Sequence, residues 1–566
     1  MGVSSRGDMT RNVRRWLTWI GGVTVVSLAI LALYAAARLT DDTAVTYADA
    51  RDHFKYGSTG GERGWKQQLG FGVPYWIWIA MPELFPELVP DHQTGRGYTS
   101  FGMIYEDGKD PRFDLPIGMS MRRTMGIDRV YFTCSVCHTG TYRDGPNGAR
   151  QIVLGMPANT FNFGRLAQFL SASAKDWRFQ SSYMLPKIAE LADARSRAAL
   201  PAGPYRPSPM GVIDRLAFRF VGVSLMRDQL ISLLGRLDFI DFGKWGPGRV
   251  DTFDPPKALL GFRMDTAHAE EMNGVADFPS VWNQKARKGM WLHWDGNNCS
   301  VDERNLSAGF GTGATPATID RDAVTRIADW LWEPAQPPPF PASRIRQDRV
   351  GRGEAIYREY CQSCHGTPKA PFKTAGDASK VGQVTPIDAI KTDRHRLDTY
   401  TPELARAQGS LYAGYPADAD SAECREYVED VCRPVQSEQD VQKFRELRAQ
   451  CYPARFQHFR KTNGYANMPL DGLWLRAPYL HNGSVPTLRA LLDPQPMRPS
   501  VLYIGYDVYD FDNVGFVTSG PDAEKRGWRL DTTVPGNGNG GHEGREYGTE
   551  LSRDDKDALV EYLKGF

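Results

Sequence analysis

Cysteine and histidine recur twice in one arrangement, Cys134-Ser135-Val136-Cys137-His138 and Cys361-Gln362-Ser363-Cys364-His365. With eight cysteines and ten histidines in 566 residues, a CxxCH string arises by chance roughly 0.002 times per chain. The spacing carries a mechanism. Two thiols one turn apart add to the two vinyl groups of one porphyrin, and the adjacent histidine reaches the iron as an axial ligand. A zinc site would need paired ligand sets with matched spacing, and a redox dithiol has no use for a histidine after it twice. The pattern therefore predicts two covalently bound haem c groups, on Cys134, Cys137 and His138, and on Cys361, Cys364 and His365.

The elements that would carry these groups are readable around them. Each half of the chain closes with an amphipathic helix. Before the proline-rich run, Val324, Ile327, Ala328 and Leu331 share one helical face, and near the C-terminus Leu559, Tyr562 and Leu563 do so behind a Ser552 cap. A further helix precedes the second motif, with Ile356 and Tyr357 turned towards it. The expected fold is mainly α and loop-rich, with 56 glycines and 38 prolines: two cytochrome c-type haem domains in tandem behind one N-terminal transmembrane helix. The expected boundaries are a basic tail over 1–15, an anchor over 16–37, an N-terminal haem domain over 45–331, a proline-rich linker over 332–344 and a C-terminal haem domain over 345–566. Within the last, 381–451 is too long and polar for an ordinary connection and reads as an insertion.

Trp16 to Ala37 carries no charge over 22 residues, about 33 Å as a helix and enough for a hydrocarbon core. Arg6, Arg11, Arg14 and Arg15 precede it, so the rest of the chain is expected outside, on the periplasmic face of the inner membrane. A cleaved signal peptide is the competing reading, with small residues at Ala35 and Ala37. Lys plus Arg (68) nearly equals Asp plus Glu (67), which argues against a nucleic-acid partner. Of the remaining cysteines, Cys299, Cys424, Cys432 and Cys451, the last three cluster tightly enough to supply one disulfide, and spacing alone leaves the pairing of all four open.

The run "NGYANMPLDGLWLRAPYLHNGSVPTLRALLDP" (463–494), with "YDVYDFDNVGF" (506–516) and "GNGNGGHEGREYGTELS" (536–552), resembles the bacterial di-haem cytochrome c peroxidase superfamily, and within it the branch that includes the latex-cleaving rubber oxygenases. The resemblance runs from about Tyr98 to Phe566 and is strongest after Arg460; "DFPSVWNQKARKGMWLHWDGNN" (277–298) adds to it. It implies one six-coordinate haem for electron transfer and one with an open position for peroxide or dioxygen.

For the second haem the resemblance points to His542 as the iron ligand opposite His365, with Met468 and His481 as alternatives; His481 otherwise reads as a haem-pocket residue. Six glycines surround His542, so packing alone would not hold its ring. For the first haem, His293 with Trp291 and Trp294 are candidates for the distal side, Met156 for a sixth ligand, and Trp282 for an electron relay between the haems. Asp510 and Asp512 form a candidate calcium loop. The apolar residues 71–86 suit a substrate channel, a core or a membrane surface. Two functions follow: an oxidoreductase activating peroxide or dioxygen at the N-terminal haem, fed by an electron-donor protein or a quinol-linked chain, or a non-enzymatic electron carrier with both irons six-coordinate.

Overall fold

The computed structural model describes residues 5–63, 72–198, 207–316, 318–367, 380–411 and 456–566. Helix dominates, and the strands are short and pair in small antiparallel sheets. The chain begins with a helix over Ser5–Thr40, whose apolar stretch Arg14–Arg38 is long enough to cross a membrane; a helix of this kind near an N-terminus serves equally as a signal anchor.

The helix runs into a four-stranded sheet in the order Asp42–Ala44, Met119–Thr124, Ile127–Phe132, Val73–Pro74. Its central hairpin turns on Met125 and Gly126, both at positive φ (53° and 69°), the two-residue geometry that matches strand twist. Behind it lies the largest apolar core. The helix Tyr75–Leu84 is buried there almost all round, with Tyr75, Ile77, Ala80 and Met81 fully enclosed. Of the three roles open to residues 71–86, the described part takes that of core, because a helix apolar on every face is stable only when covered on every face.

A second core takes residues from both sides of the proline-rich run: Cys134, Met156 and Trp282 from the first half, Phe340 from the run itself, and Tyr357, Trp474 and Leu559 from the second. The run is extended as expected but seated rather than free. Ala335 and Phe340 are buried, and Pro338 accepts a hydrogen bond from the Trp474 indole at 3.0 Å. The helices expected at the ends of the two halves form at Arg321–Trp332, where Asp320 accepts from the Ala323 N–H, and at Arg553–Leu563, where Ser552 accepts from Asp555. The first part of the expected insertion is also built in. Val384–Pro386 pairs with Gly464–Ala466, and Leu397, Tyr400 and Leu404 are buried; residues 412–455 lie outside the described ones. Cys299 is disulfide-bonded, a pairing that the sequence left open. Cys424, Cys432 and Cys451 lie outside the described residues.

The helix before the second motif, Gln347–Tyr360, packs on Arg553–Leu563 through Gly353. A methyl group there would stand 2.1 Å from the Ala558 carbonyl oxygen, whereas Gly351 on the same helix has nothing within 4 Å. Gly353→Ala is therefore expected to destabilise the protein by about 1–3 kcal/mol through overpacking, and Gly351→Ala to stabilise it by about 0.5–1 kcal/mol through helix propensity. Urea unfolding of the two variants separates the effects by sign.

Candidate haem sites

The first motif leaves the sheet directly. The central hairpin ends at Phe132, the Thr133 N–H donates to Gly118 at 2.8 Å, and Cys134–Val136 closes a tight 3-10 turn. Ser135 is buried and its hydroxyl donates to the Lys55 carbonyl at 3.0 Å. Another hairpin, Thr139–Tyr142 with Gln151–Leu154, begins at the residue after His138. His138 is thus clamped between two hairpins. Its Nδ1 lies 2.8 Å from the Pro279 carbonyl oxygen; a carbonyl only accepts, so Nδ1 carries the proton and Nε2 stays free for a metal. Burial, helped by the Arg304 guanidinium and His293, pushes the His138 pKa down to about 3.

The second motif is helical, Gln362–His365, and follows Gln347–Tyr360 after one turn. The Tyr357 hydroxyl fastens its end by donating to the Gly366 carbonyl at 2.6 Å. His365 repeats the device of His138: Nδ1 lies 2.8 Å from the Met468 carbonyl oxygen. All four motif cysteines are free of disulfides. Burial pushes the Cys134 thiol up to about 11 and Cys361 up to about 12, the reverse of what a reactive dithiol requires and compatible with thioether formation.

Opposite His365 stands His542. Their ring centres are 6.3 Å apart at 40°. Two imidazoles bound to one metal at about 2 Å each place their centres about 6 Å apart. One nitrogen of His542, Nδ1, is buried without a hydrogen-bond partner, and burial together with His365 pushes its pKa down to about 3. The pair fits a haem iron by spacing, by tautomer and by its unsatisfied nitrogen.

The glycine-rich stretch around His542 is held by polar contacts. Asp393 accepts from the Gly536 and Gly538 N–H groups at 3.2 Å each. Asn482 donates to the carbonyls of the same two glycines, and Ser484 to that of Gly538. The Arg498 guanidinium, buried, donates to Asn539 and Gly541 at 2.6 and 2.9 Å. Gly541 has φ +90°, and a Cβ there would stand 2.5 Å from the Thr392 N–H nitrogen; only glycine allows that approach. The next N–H, that of His542, then bonds the Ile390 carbonyl at 3.0 Å.

The alternatives to His542 lie elsewhere. Met468 offers its carbonyl to His365, so it sits on the proximal side, and it lines the cavity near His293. His481 is stacked on Tyr465 with ring centres 4.3 Å apart and shares a 3.0 Å hydrogen bond with its hydroxyl. Met156 is fully buried in the shared core beside Trp282, the role of a filler. Asp510 accepts from the N–H groups of Asp512 and Asn513 at 3.0 Å and so closes the Tyr509–Asp510 and Gly515–Phe516 hairpin. These contacts make the loop of Asp510 and Asp512 an acidic turn. Among the described residues no cluster of three metal-binding side chains forms.

The first motif faces a different environment. The ring in contact with His138 is Phe278, at 6.4 Å. A cavity beside it is lined by Pro279, Trp291, His293, Trp294, Arg304 and Asp277. His293 donates from Nδ1 to Asn297 Oδ1, which leaves Nε2 as its basic nitrogen, and burial with Arg304 pushes its pKa down to about 4. The Trp294 indole donates to the Asp277 carbonyl at 3.0 Å. Trp282 is fully buried in the shared core. Its neighbour Val281 donates to Gly155, which donates to His138, while its indole donates to Asp471.

Charge in this cavity went unseen in the sequence. Arg287 and Arg476 share the Asp471 carboxylate at 2.7 Å each, and no hydrogen bond or ion pair is found for the Arg304 guanidinium among the described residues. Burial, with Arg287 nearby, pushes Arg304 down to about 10. Arg287, Arg304 and Arg476 all line the cavity, and Asp471 pairs with only two of them; the carboxylates of a haem would balance the remaining positive charge. Within "DERNLS", Arg304 reads as an ordinary solvated helix residue.

Residues 464–503 match the family model described as RoxA-like, cytochrome c-like. The matched block contains the Met468 carbonyl, Asp471, Arg476, Asn482, Ser484 and Arg498, so it both orients His365 and pins the stretch bearing His542. Two proteins of Sinorhizobium fredii (strain NBRC 101917 / NGR234) are similar. The one described as uncharacterized protein y4iJ is 24% identical over 98% of this chain and 100% of its own length. The other, uncharacterized protein y4iM, is 30% identical over 51% of this chain and 64% of its own. The cytochrome c-like match points to covalent haem c.

His542→Ala is expected to convert the second haem from low spin to high spin in the resting electron paramagnetic resonance spectrum, and His481→Gln to leave it low spin. A low-spin signal that survives His542→Ala would exclude His542 as the ligand.

Proposed function

We propose that the protein is a membrane-anchored, periplasmic di-haem c-type oxidoreductase in which the C-terminal haem is closed by His365 and His542 and transfers electrons, while the N-terminal haem, on His138, receives peroxide or dioxygen. The observation that carries this reading is the asymmetry between the motifs: one proximal histidine faces a second imidazole at ligating distance, the other adjoins a cavity lined by aromatic, cationic and acid–base side chains.

A haem iron held by His138 supplies oxidant binding and one-electron redox chemistry. The chain's own residues supply the rest. With peroxide the balance is one H2O2, two protons and two electrons to two waters, the electrons coming from a donor protein or a quinol-linked chain. Nε2 of His293, neutral and basic, takes a proton from one peroxide oxygen and returns it to the other as the O–O bond breaks. Asp277, whose carboxyl burial pushes well above the usual carboxylate range, adds a proton reserve on the same cavity. Arg304 balances carboxylate charge there and polarises the bound oxidant. Trp282, bonded to strands of contact that reach His138 on one side and Asp471 on the other, provides an aromatic path between the haems.

A resting spectrum with one high-spin and one low-spin haem, and ready binding of cyanide or carbon monoxide by one haem only, is the expected result. Two low-spin haems inert to both ligands would make the protein an electron carrier instead. In the oxidoreductase, His293→Gln is expected to keep cyanide binding and lose about 10²–10⁴-fold in peroxide turnover. Trp282→Phe is expected to leave both spin states unchanged and slow re-reduction of the N-terminal haem by the C-terminal one in stopped-flow absorption.

A further inference from the structure

Residues 212–221 present a surface that the haem chemistry does not use. The helix Val212–Ala217 continues through a wider turn, Phe218–Gly222, into Val223–Gly235. One side of this rod packs inward, with Phe218, Val223, Met226 and Leu230 buried. The other side is apolar and open: Val212 is 75% exposed, Leu216 51%, Phe220 71% and Val221 55%. The pairs 212/213, 216/217 and 220/221 recur every four residues, so they form one stripe along the helix. Soluble surfaces seldom gather large side chains in this way. Arg215 and Arg219, both exposed, are the basic residues of the segment and have stems long enough to reach lipid phosphates.

The position of the stripe names its occupant. Asp214, in the middle of the segment, forms an ion pair with Arg38, and the same guanidinium donates to the Gly126 carbonyl at 3.1 Å. Arg38 is the last residue of the apolar span Arg14–Arg38. The stripe is therefore tied to the point where the N-terminal helix would leave a bilayer. An amphipathic segment with bulky apolar residues on one side and arginines beside them suits the boundary between headgroups and acyl chains, and anionic headgroups suit the arginines.

We propose that residues 212–221 lie in the outer leaflet of the bilayer crossed by the N-terminal helix, and so hold the haem-bearing body against the membrane surface in one orientation rather than on a free tether. The proposal rests on the membrane-anchored reading, and its test separates the two. Full-length, haem-loaded protein is placed in nanodiscs of phosphatidylethanolamine and phosphatidylglycerol, with a nitroxide introduced by Leu216→Cys or Phe220→Cys. Val25→Cys reports the span itself, and Asp512→Cys, on an exposed turn, reports water. Power saturation compares access of oxygen, which concentrates in lipid, with that of a water-soluble nickel chelate. The expected result is oxygen access exceeding nickel access at 216 and 220, as at 25 and opposite to 512. Water-like access at 216 and 220 with lipid-like access at 25 overturns the proposal and leaves the anchor standing. Low access to both reagents at 216 and 220 overturns it in favour of a protein partner or a second copy. Water-like access at 25 overturns the membrane span, and the docking surface with it unless 216 and 220 still report lipid.

Discussion

Two imidazoles held opposite one another in a dry interior resist protonation and leave ring nitrogen without a hydrogen-bond partner. His365 and His542 face each other in this way, Nδ1 of His542 being the nitrogen left without a partner, and the C-terminal part of the molecule is arranged to keep them there. His365 is oriented from behind by the Met468 carbonyl. His542 is delivered by a stretch of backbone whose N–H and C=O groups are satisfied by Asp393, Asn482, Ser484 and Arg498. Buried polar contacts of this kind are directional, so they fix a position that apolar packing would leave loose. A desolvated imidazole pair without a metal is unfavourable; an iron between the rings removes the cost.

The same contacts link the two halves. Asp471, three residues beyond Met468, accepts from Arg287, Arg476 and the Trp282 indole. Trp282 in turn adjoins the backbone that carries His138, and its ring is enclosed in a core drawn from both sides of the proline-rich run. A shift at either motif would therefore be felt at the other through a short, fully buried set of contacts. The seated Phe340 belongs to this shared core, so the surroundings of both motifs are set in one continuous packing.

Much of this was legible beforehand. The CxxCH strings point to covalent haem because the chemistry of attachment depends on residues four apart at most, and local spacing survives in sequence. The amphipathic helices at Arg321–Trp332 and Arg553–Leu563 were readable from their 3.6-residue period and their caps. His542 was singled out by its odd company of glycines and by a family resemblance. Other features were hidden for a stated reason. Residues 72–86 read equally as core, channel or membrane surface, since an apolar run carries no record of what covers it. Nothing in the sequence marked Arg304 or Asp471, because burial of a charge is decided by neighbours far away in the chain. The disulfide of Cys299 was not legible because four cysteines outside the CxxCH strings allow several pairings, and spacing in sequence does not choose among them.

What the sequence by itself determined is the set of reactive groups: two thiol pairs, their histidines, an apolar N-terminal span and the glycines that let backbone come close. The tertiary structure alone decided which imidazole faces which, that the Met468 carbonyl orients His365, that three arginines converge on one cavity, and that an apolar stripe stands beside Arg38. The physical reason is that bonding capacity belongs to a side chain, whereas opposition, burial and electrostatic company arise only when segments distant in the chain are brought within a few ångströms of one another.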